Sequence, residues 1–281
     1  MRHSQTTLQR ARILGADVDF VTSDQVMTFV AGAADAGRKA IVANHNLHSL
    51  YLVRKHRDMA VYFDLADLVE IDSMPLIYWG KALGLPVSSN HRCTYLDWRD
   101  DFWAVAAQRG WRVFYLGGSP GGGLFGHARL MREWPGVQIA TRHGYFDHAS
   151  GSDENNDVLA QINEFQPHVL MVGMGMPIQE SWIGRNFKAL ATGVVLSVGA
   201  AFDYEAGVQV PPPRFLGGMG LEWLFRLAMS PRRLFRRYLV EPWSLVAPAM
   251  KDIDRYVLGR TGAPAPSRRP ALTGETPRAA A

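Results

Sequence analysis

The feature that most constrains this chain is an alternation. Short apolar runs of strand length are separated by longer stretches whose apolar residues recur at helical spacing. The runs predict strands over 39–43, 65–71, 112–116, 137–141, 168–172 and 193–198. The stretches between them predict helices over 47–57, 75–83, 98–109, 122–133, 153–164 and 178–189. Successive parallel strands need such crossovers, so the order predicts a Rossmann-like α/β/α sandwich with ligand at the carboxyl ends of its strands.

After Gly207 the pattern stops. Pro211-Pro212-Pro213 continues neither a helix nor a central strand and reads as a stiff linker. Two helices are predicted beyond it, over 220–229 and 231–240, the second opened by a proline in its first turn. From Gly259 onward Pro, Ala, Thr and Arg dominate, with too few apolar side chains to bury, which predicts a disordered tail. The expected division is a catalytic domain over 1–209, a basic helical C-terminal appendage over 210–258 and the tail over 259–281.

Cys93 is the only cysteine, which excludes an intramolecular disulfide and a zinc site of several thiolates and suits a reducing compartment. With no apolar core of signal-peptide length near Met1 and no 18 consecutive apolar residues, the expectation is a chain that neither carries a cleaved signal nor spans a bilayer. The net charge of +4 points to an anionic partner, and nucleic acid, lipid headgroup and sugar-nucleotide diphosphate all satisfy it. The charge is concentrated between Arg214 and Glu241, where six arginines face two glutamates among Leu, Phe and Trp.

Each candidate motif has two readings. Asn44-His45-Asn46 ends a strand, where its amides can meet a ligand or Asn46 can cap the next helix. His45 and His48 lack a carboxylate or third histidine at ligand spacing and read as packing or surface residues. Asp72 either caps a helix or, among Ile71, Met74 and Leu76, serves as a partly desolvated general base. The glycine-rich turn from Gly117 and Gly118 to Gly123 lets backbone N–H groups approach a phosphate, or is simply a turn. Gly175, followed by Pro177, Gln179 and Glu180, frees the backbone before a helix whose first turn offers an amide and a carboxylate to sugar hydroxyls. Asp203, among small and aromatic residues, can accept from a ribose or uracil, or is a solvated turn acid. Arg232, Arg233, Arg236 and Arg237 share one broad helical face suited to a diphosphate or anionic lipid, with a merely solvated face as the alternative.

Taken in order, these strings resemble a bacterial glycosyltransferase family of WecB/TagA/CpsF type. That family includes N-acetylmannosaminyl-, N-acetylmannosaminuronyl- and exopolysaccharide glucosyltransferases. The resemblance runs from about Ala40 to Tyr238 and is carried by Ala66-Asp67-Leu68-Val69 leading to Asp72, Leu116-Gly117-Gly118, and Gly175 through Trp182. Gly199-Ala200-Ala201-Phe202-Asp203, Gly220-Leu221-Glu222-Trp223-Leu224 and Pro231-Arg232-Arg233 complete it. It implies an inverting transferase with no required metal or other cofactor, whose appendage closes over the donor and contacts the membrane. By the same resemblance Asp72 is the general base, Gln179 and Asp203 belong to the donor site, and Arg92 matches an arginine preceding the family's next helix. The family's usual Thr-x-Asn stands here as Asn44-His45-Asn46, an amide in place of the hydroxyl, which makes Asn44 a catalytic candidate with Asp72, and its Arg-Ala-Pro stands as Pro211-Pro212-Pro213.

The resulting expectation is transfer of a hexose (glucose, N-acetylmannosamine or its uronate) from a UDP-sugar to a polyprenyl-pyrophosphate-linked sugar. The setting would be exopolysaccharide or cell-surface polysaccharide assembly at the inner face of the plasma membrane, with a homo-oligomer left open and no nucleic acid involved. A nucleotide-dependent oxidoreductase or epimerase is the competing enzyme class; it needs a complete dinucleotide loop or a Tyr-x-x-x-Lys pair, and neither stands in the expected place. A basic membrane-surface adaptor is the non-enzymatic alternative.

Overall fold

The structure, a computed structural model, describes residues 8–210, 216, 220–259 and 267–269. Among these residues the central sheet has six strands, all parallel: β3 (Ala40–His45), β4 (Leu68–Ile71), β5 (Arg112–Gly117), β6 (Gln138–Arg142), β7 (Val169–Gly173) and β8 (Val194–Ser197). Their order across the sheet is β4-β3-β8-β7-β5-β6. The expected Rossmann-like sandwich is therefore present, and each predicted strand is found with ends shifted by a few residues.

Alternation along the strands separates two cores. Val42, Leu68, Val113, Met171 and Leu196 face one layer, made by α1 (Ser23–Asp35), α5 (Tyr95–Arg109), α6 (Gly122–Glu133) and the short α9 (Ala201–Glu205). Ile41, Val69, Phe114, Leu170 and Val195 face the other, made by α3 (Arg57–Leu65), α4 (Met74–Ala82), α7 (Asp153–Phe165) and α8 (Ile178–Asn186). Strands covered on both faces carry continuous apolar runs, which is why they were readable.

Three sequence expectations need correction. The helix predicted over 47–57 is α2 (Leu47–Leu52), and a separate α3 follows that includes Leu65, the residue expected to open β4. The helix expected over 231–240 runs as α11 (Pro231–Phe235) and then continues as a wider π-helical turn over Arg236–Val240. The third concerns the N-terminus, where no element was expected. There β1 (Leu8–Ile13) and β2 (Ala16–Phe20) form an antiparallel hairpin, followed by α1. Asp19 is buried because Arg10 grips it through two bonds of 2.7 and 2.5 Å while it accepts from the Val69 N–H at 2.8 Å. Paired burial of this kind removes the apolar alternation on which a sequence reading depends. Thr22 and Gln25 form a full capping box at the start of α1, a sequence signature that was available.

The appendage is helical, as expected, and begins with α10 (Glu222–Met229) and α11. It continues through Glu241–Leu245 to α12 (Val246–Asp252). It is fastened at several points to the sandwich. Asp252, buried, accepts from the Leu14 N–H at 2.6 Å and from the Trp79 indole at 3.1 Å. Arg54 donates to the Ser244 carbonyl at 3.0 Å, and His48 Nδ1 lies 2.5 Å from Glu241 Oε2. The expected linker at Pro211-Pro212-Pro213 lies outside the described residues, as does most of the expected tail; within the latter, β9 (Ser267–Arg269) pairs with β1.

Candidate active site

A cleft of about 1590 Å³ opens at the carboxyl ends of β3, β4, β5, β7 and β8, and the appendage forms its opposite wall. Asn44, Asn46, Glu70 and Asp72 line it from β3 and β4; Gly118, Gly175, Gln179 and Asp203 line it from the glycine-rich side. Glu222, Arg226, Arg236, Arg237 and Tyr238 line it from the appendage.

Asp72 follows β4 and holds its backbone by donating to the His45 carbonyl at 2.9 Å. The capping position of α4 belongs to Ser73, and no side-chain bond caps it, so Asp72 is not spent on the helix. Asn46 Nδ2 lies 3.5 Å from Asp72 Oδ2, while Asn46 Oδ1 accepts from the Ser49 N–H at 3.0 Å. One end of the Asn46 amide therefore caps α2, as that reading expected, while the other faces the acid at the cleft. Burial pushes the Asp72 carboxyl up to about 6, against the opposing charges of Arg226 and Arg92 and the Asn46 bond; Glu222 adds slightly to the rise. A carboxylate poised near neutrality is matched to taking up a proton.

Asn44 points its amide at Ser197, donating to the carbonyl oxygen at 2.8 Å and reaching Oγ at 3.3 Å. Ser197 Oγ in turn accepts from the buried Tyr62 hydroxyl at 2.9 Å, which locks β3 to β8 at the cleft floor. His45 sits below, stacked on Phe63 at 3.8 Å between centroids and 2.9 Å from Ser49 Oγ. Burial lowers its pKa to about 3, so it is a neutral packing residue.

The glycine-rich side is built by close backbone approach. A side chain at Gly173 would place its Cβ 2.5 Å from the Gly199 carbonyl, and Gly118 has φ of +68°. Gly118, not Gly117, reaches the cleft lining. Asp203 accepts from Gln209 Nε2 at 2.9 Å. Gln179 is buried and both ends of its amide are engaged: Oε1 accepts from the Gly175 N–H at 3.2 Å and Nε2 donates to Glu180 at 2.7 Å. Glu180 lies behind it, away from the lining, and burial pushes its carboxyl up to about 7.

The basic face is divided by the fold. Arg236 and Arg237 reach the cleft, Arg232 is exposed away from it, and the Arg233 side chain lies outside what the structure describes. Arg92, expected at the site, is largely buried and shared, with Nη1 3.3 Å from Glu222 and Nη2 3.4 Å from Asp97. It acts on Asp72 through its charge and ties the sandwich to the appendage.

Three cleft residues escaped the sequence reading. Arg226 on α10 faces Asp72, Tyr204, Tyr238 and Glu222, and its Nε is buried with no hydrogen-bond partner among the described residues, as is Arg237 Nε. Glu222 was visible only as part of a matching string. Glu70 carried no signal, because a single acid inside an apolar run gives no direction for its side chain.

Among the described residues no group of three or more His, Cys, Asp or Glu side chains is arranged to hold a metal, and no helix is long and apolar enough to cross a membrane. A family model described as "Glycosyl transferase WecG/TagA/CpsF family" matches residues 11–256. Similar proteins include the N-acetylglucosaminyldiphosphoundecaprenol N-acetyl-beta-D-mannosaminyltransferase of Staphylococcus aureus strain MRSA252, 25% identical over 234 residues, covering 80% of this chain and 86% of that protein. The protein of the same description from strain NCTC 8325 / PS 47 is 24% identical over the same span and coverage.

Proposed function

Because this chain belongs to the WecG/TagA/CpsF glycosyltransferase family, we propose that it transfers a hexosyl or N-acetylhexosaminyl group from a UDP-sugar to a polyprenyl-diphosphate-linked sugar for cell-surface or exopolysaccharide assembly. The observation that carries this reading is the pairing across one cleft of a raised carboxyl, Asp72, with the buried, unpartnered guanidinium N–H groups of Arg226 and Arg237. An orphaned buried donor costs about 1–3 kcal/mol, and a phosphate oxygen removes that cost. The acceptor in the names of the relatives, N-acetylglucosaminyldiphosphoundecaprenol, supports the acceptor class.

In the proposed reaction the acceptor hydroxyl oxygen bonds to the anomeric carbon as its proton passes to Asp72. The bond from the anomeric carbon to the diphosphate oxygen breaks on the opposite face, so the configuration inverts. Charge growing on departing UDP is met by Arg226, Arg236 and Arg237 and by backbone N–H groups of the glycine-rich side. The appendage also turns Phe235, Leu239, Trp243, Val246 and Met250 outward, each at least 44% exposed. Beside Arg232 and Arg236 such a surface fits the interface of an anionic bilayer, where a lipid-linked acceptor resides.

The test is UDP release from a panel of UDP-sugars with a lipid-pyrophosphate-linked N-acetylglucosamine acceptor. Asp72→Asn is expected to lower kcat by about 10²- to 10⁴-fold, the range a general base contributes. Equal turnover by wild type and variant removes Asp72 from its role, and absence of UDP release with every donor defeats the donor assignment.

A further inference from the structure

Glu70 takes no part in the reaction above, yet its setting is that of a binding group. It continues the strand face that carries Leu68, directly paired in register with Asn44, on the side of the sheet covered by α1 and α5. An apolar residue would fill that position without desolvating a carboxyl. The position instead holds an acid, 4% exposed, that lines the cleft with Asp72, Thr94 and Trp98. Glu70 Oε1 is buried and has no hydrogen-bond partner among the described residues, and neither does the buried Trp98 Nε1. The indole N–H stands close enough to the carboxyl to favour its ionised form, yet neither group meets full hydrogen-bond geometry, so a donor and an acceptor stand side by side at the cleft floor.

Resting on the glycosyl-transfer reading, we propose that Glu70 is a sugar-recognition residue. With Trp98 it hydrogen-bonds an uncharged hydroxyl or acetamido group of the pyranose held beside Asp72, and it keeps a carboxylate-bearing sugar out of that position. Hydroxyl and acetamido groups each offer a donor and an acceptor, matching the open pair.

The exclusion follows from charge. Asp72, just beyond the end of the same strand, and Asp97 from α5 both bear on Glu70. Arg92, the nearby cation, is already divided between Asp97 and Glu222. Burial pushes the Glu70 carboxyl up to about 8, the charges of Asp72 and Asp97 reinforce this, and the Trp98 indole opposes it. At neutral pH Glu70 is therefore largely an uncharged acid able to donate as well as accept. A sugar carboxylate placed there would add a buried negative charge beside Asp72, whose own charge already draws on Arg226 and Arg92.

The experiment is calorimetric titration of the full chain, which needs no turnover. The probes are UDP-glucose and UDP-N-acetylmannosamine against UDP, and a short-chain lipid pyrophosphate with and without N-acetylglucosamine. Glu70→Ala and Trp98→Phe are each expected to weaken binding of a sugar-bearing ligand by about tenfold or more, while the sugar-free counterparts bind unchanged. Glu70→Gln, which keeps shape and hydrogen-bonding capacity, should bind within about threefold of wild type and accept the uronate form of the responding ligand about tenfold better than wild type does. The responding ligand tells whether donor or acceptor sugar occupies the position. Unchanged affinity of both variants for every sugar-bearing ligand, or a loss shared by the sugar-free ligands, overturns the proposal; wild type binding a uronate as tightly as the neutral sugar overturns the exclusion. Melting curves of each variant separate misfolding from lost contact. A transferase assay without UDP release would sink the parent reading on its own, leaving these binding results to judge Glu70.

Discussion

The two walls of the cleft are built on opposite principles. The sheet wall rests on strands whose apolar side chains are almost wholly buried between two helical layers, and it meets the cleft with backbone turns, acids and amides, and aromatic rings such as Tyr95 and Trp98. The appendage wall has no buried residue in α10 and meets the cleft with long charged side chains, while its outer surface leaves large apolar groups exposed. Packing on both faces fixes the first; the second is positioned by polar bonds to His48, Leu14 and Trp79 and by Leu245, Ala249 and Ile253 packed against the edge of the core. The difference teaches that the acid sits on the rigid wall, where small displacements are resisted, and the cations sit on the wall better able to yield as a diphosphate enters and leaves.

Substitutions on each wall can break that comparison. The largest effect on stability belongs to the sheet wall: Ile183→Ala, at a fully buried position of α8, should lower unfolding free energy by about 2–5 kcal/mol in denaturant titration. A loss under about 1 kcal/mol would mean that the core is looser than its burial indicates. Across the cleft, Arg226→Ala should lower kcat/KM by about 10- to 100-fold with little change in melting temperature, because it removes a charged hydrogen-bond donor and not a packed side chain.

The same substitution should also move the pH profile. Wild-type kcat/KM should rise with pH to a plateau above about 6, where Asp72 loses its proton, and Arg226 is the leading charge holding that pKa down. Without Arg226 the limb shifts to higher pH; a limb that stays put shows that the appendage does not tune the base.

Glu70 gives a smaller effect with a defined sign. Its folded pKa lies near 8 against an ordinary 4.5, so between these values the folded state holds a proton that the unfolded state has released. Stability contributed this way is present below the lower value and lost as pH rises through the upper one. Glu70→Gln should therefore raise the melting temperature more at about pH 8.5 than at about pH 5. Smallest of all is Trp243→Ser on the exposed appendage face, expected to change stability by no more than about 0.5 kcal/mol while weakening sedimentation with vesicles of anionic lipid. Unaltered vesicle binding would remove that face from the membrane assignment.

Local pattern accounts for what was legible. Runs such as 168–172 and 193–198 identify their strands because both faces are covered, and the glycine turns and Asp72 follow strand ends that short-range periodicity locates. The hairpin at Leu8–Phe20 was hidden because Asp19 is buried by pairing with Arg10 and not by being apolar. Likewise, the four arginines of one expected face were separated by the π-helical turn at Arg236–Val240 and by packing, so that Arg236 and Arg237 reach the cleft and Arg232 does not.

By itself the sequence determined the alternating sandwich, the family strings and the place of Asp72 at a strand's end, since each depends on residues near one another in the chain. Only the tertiary structure decided that Arg226, more than a hundred positions onward, would face that acid, that Arg92 would be shared with Glu222, and that Glu70 would lie on the cleft floor with an unmet oxygen. The physical reason is that charge and hydrogen-bond partners are chosen by proximity in space, and a period of two or of 3.6 residues carries no record of which distant segment will fold against it.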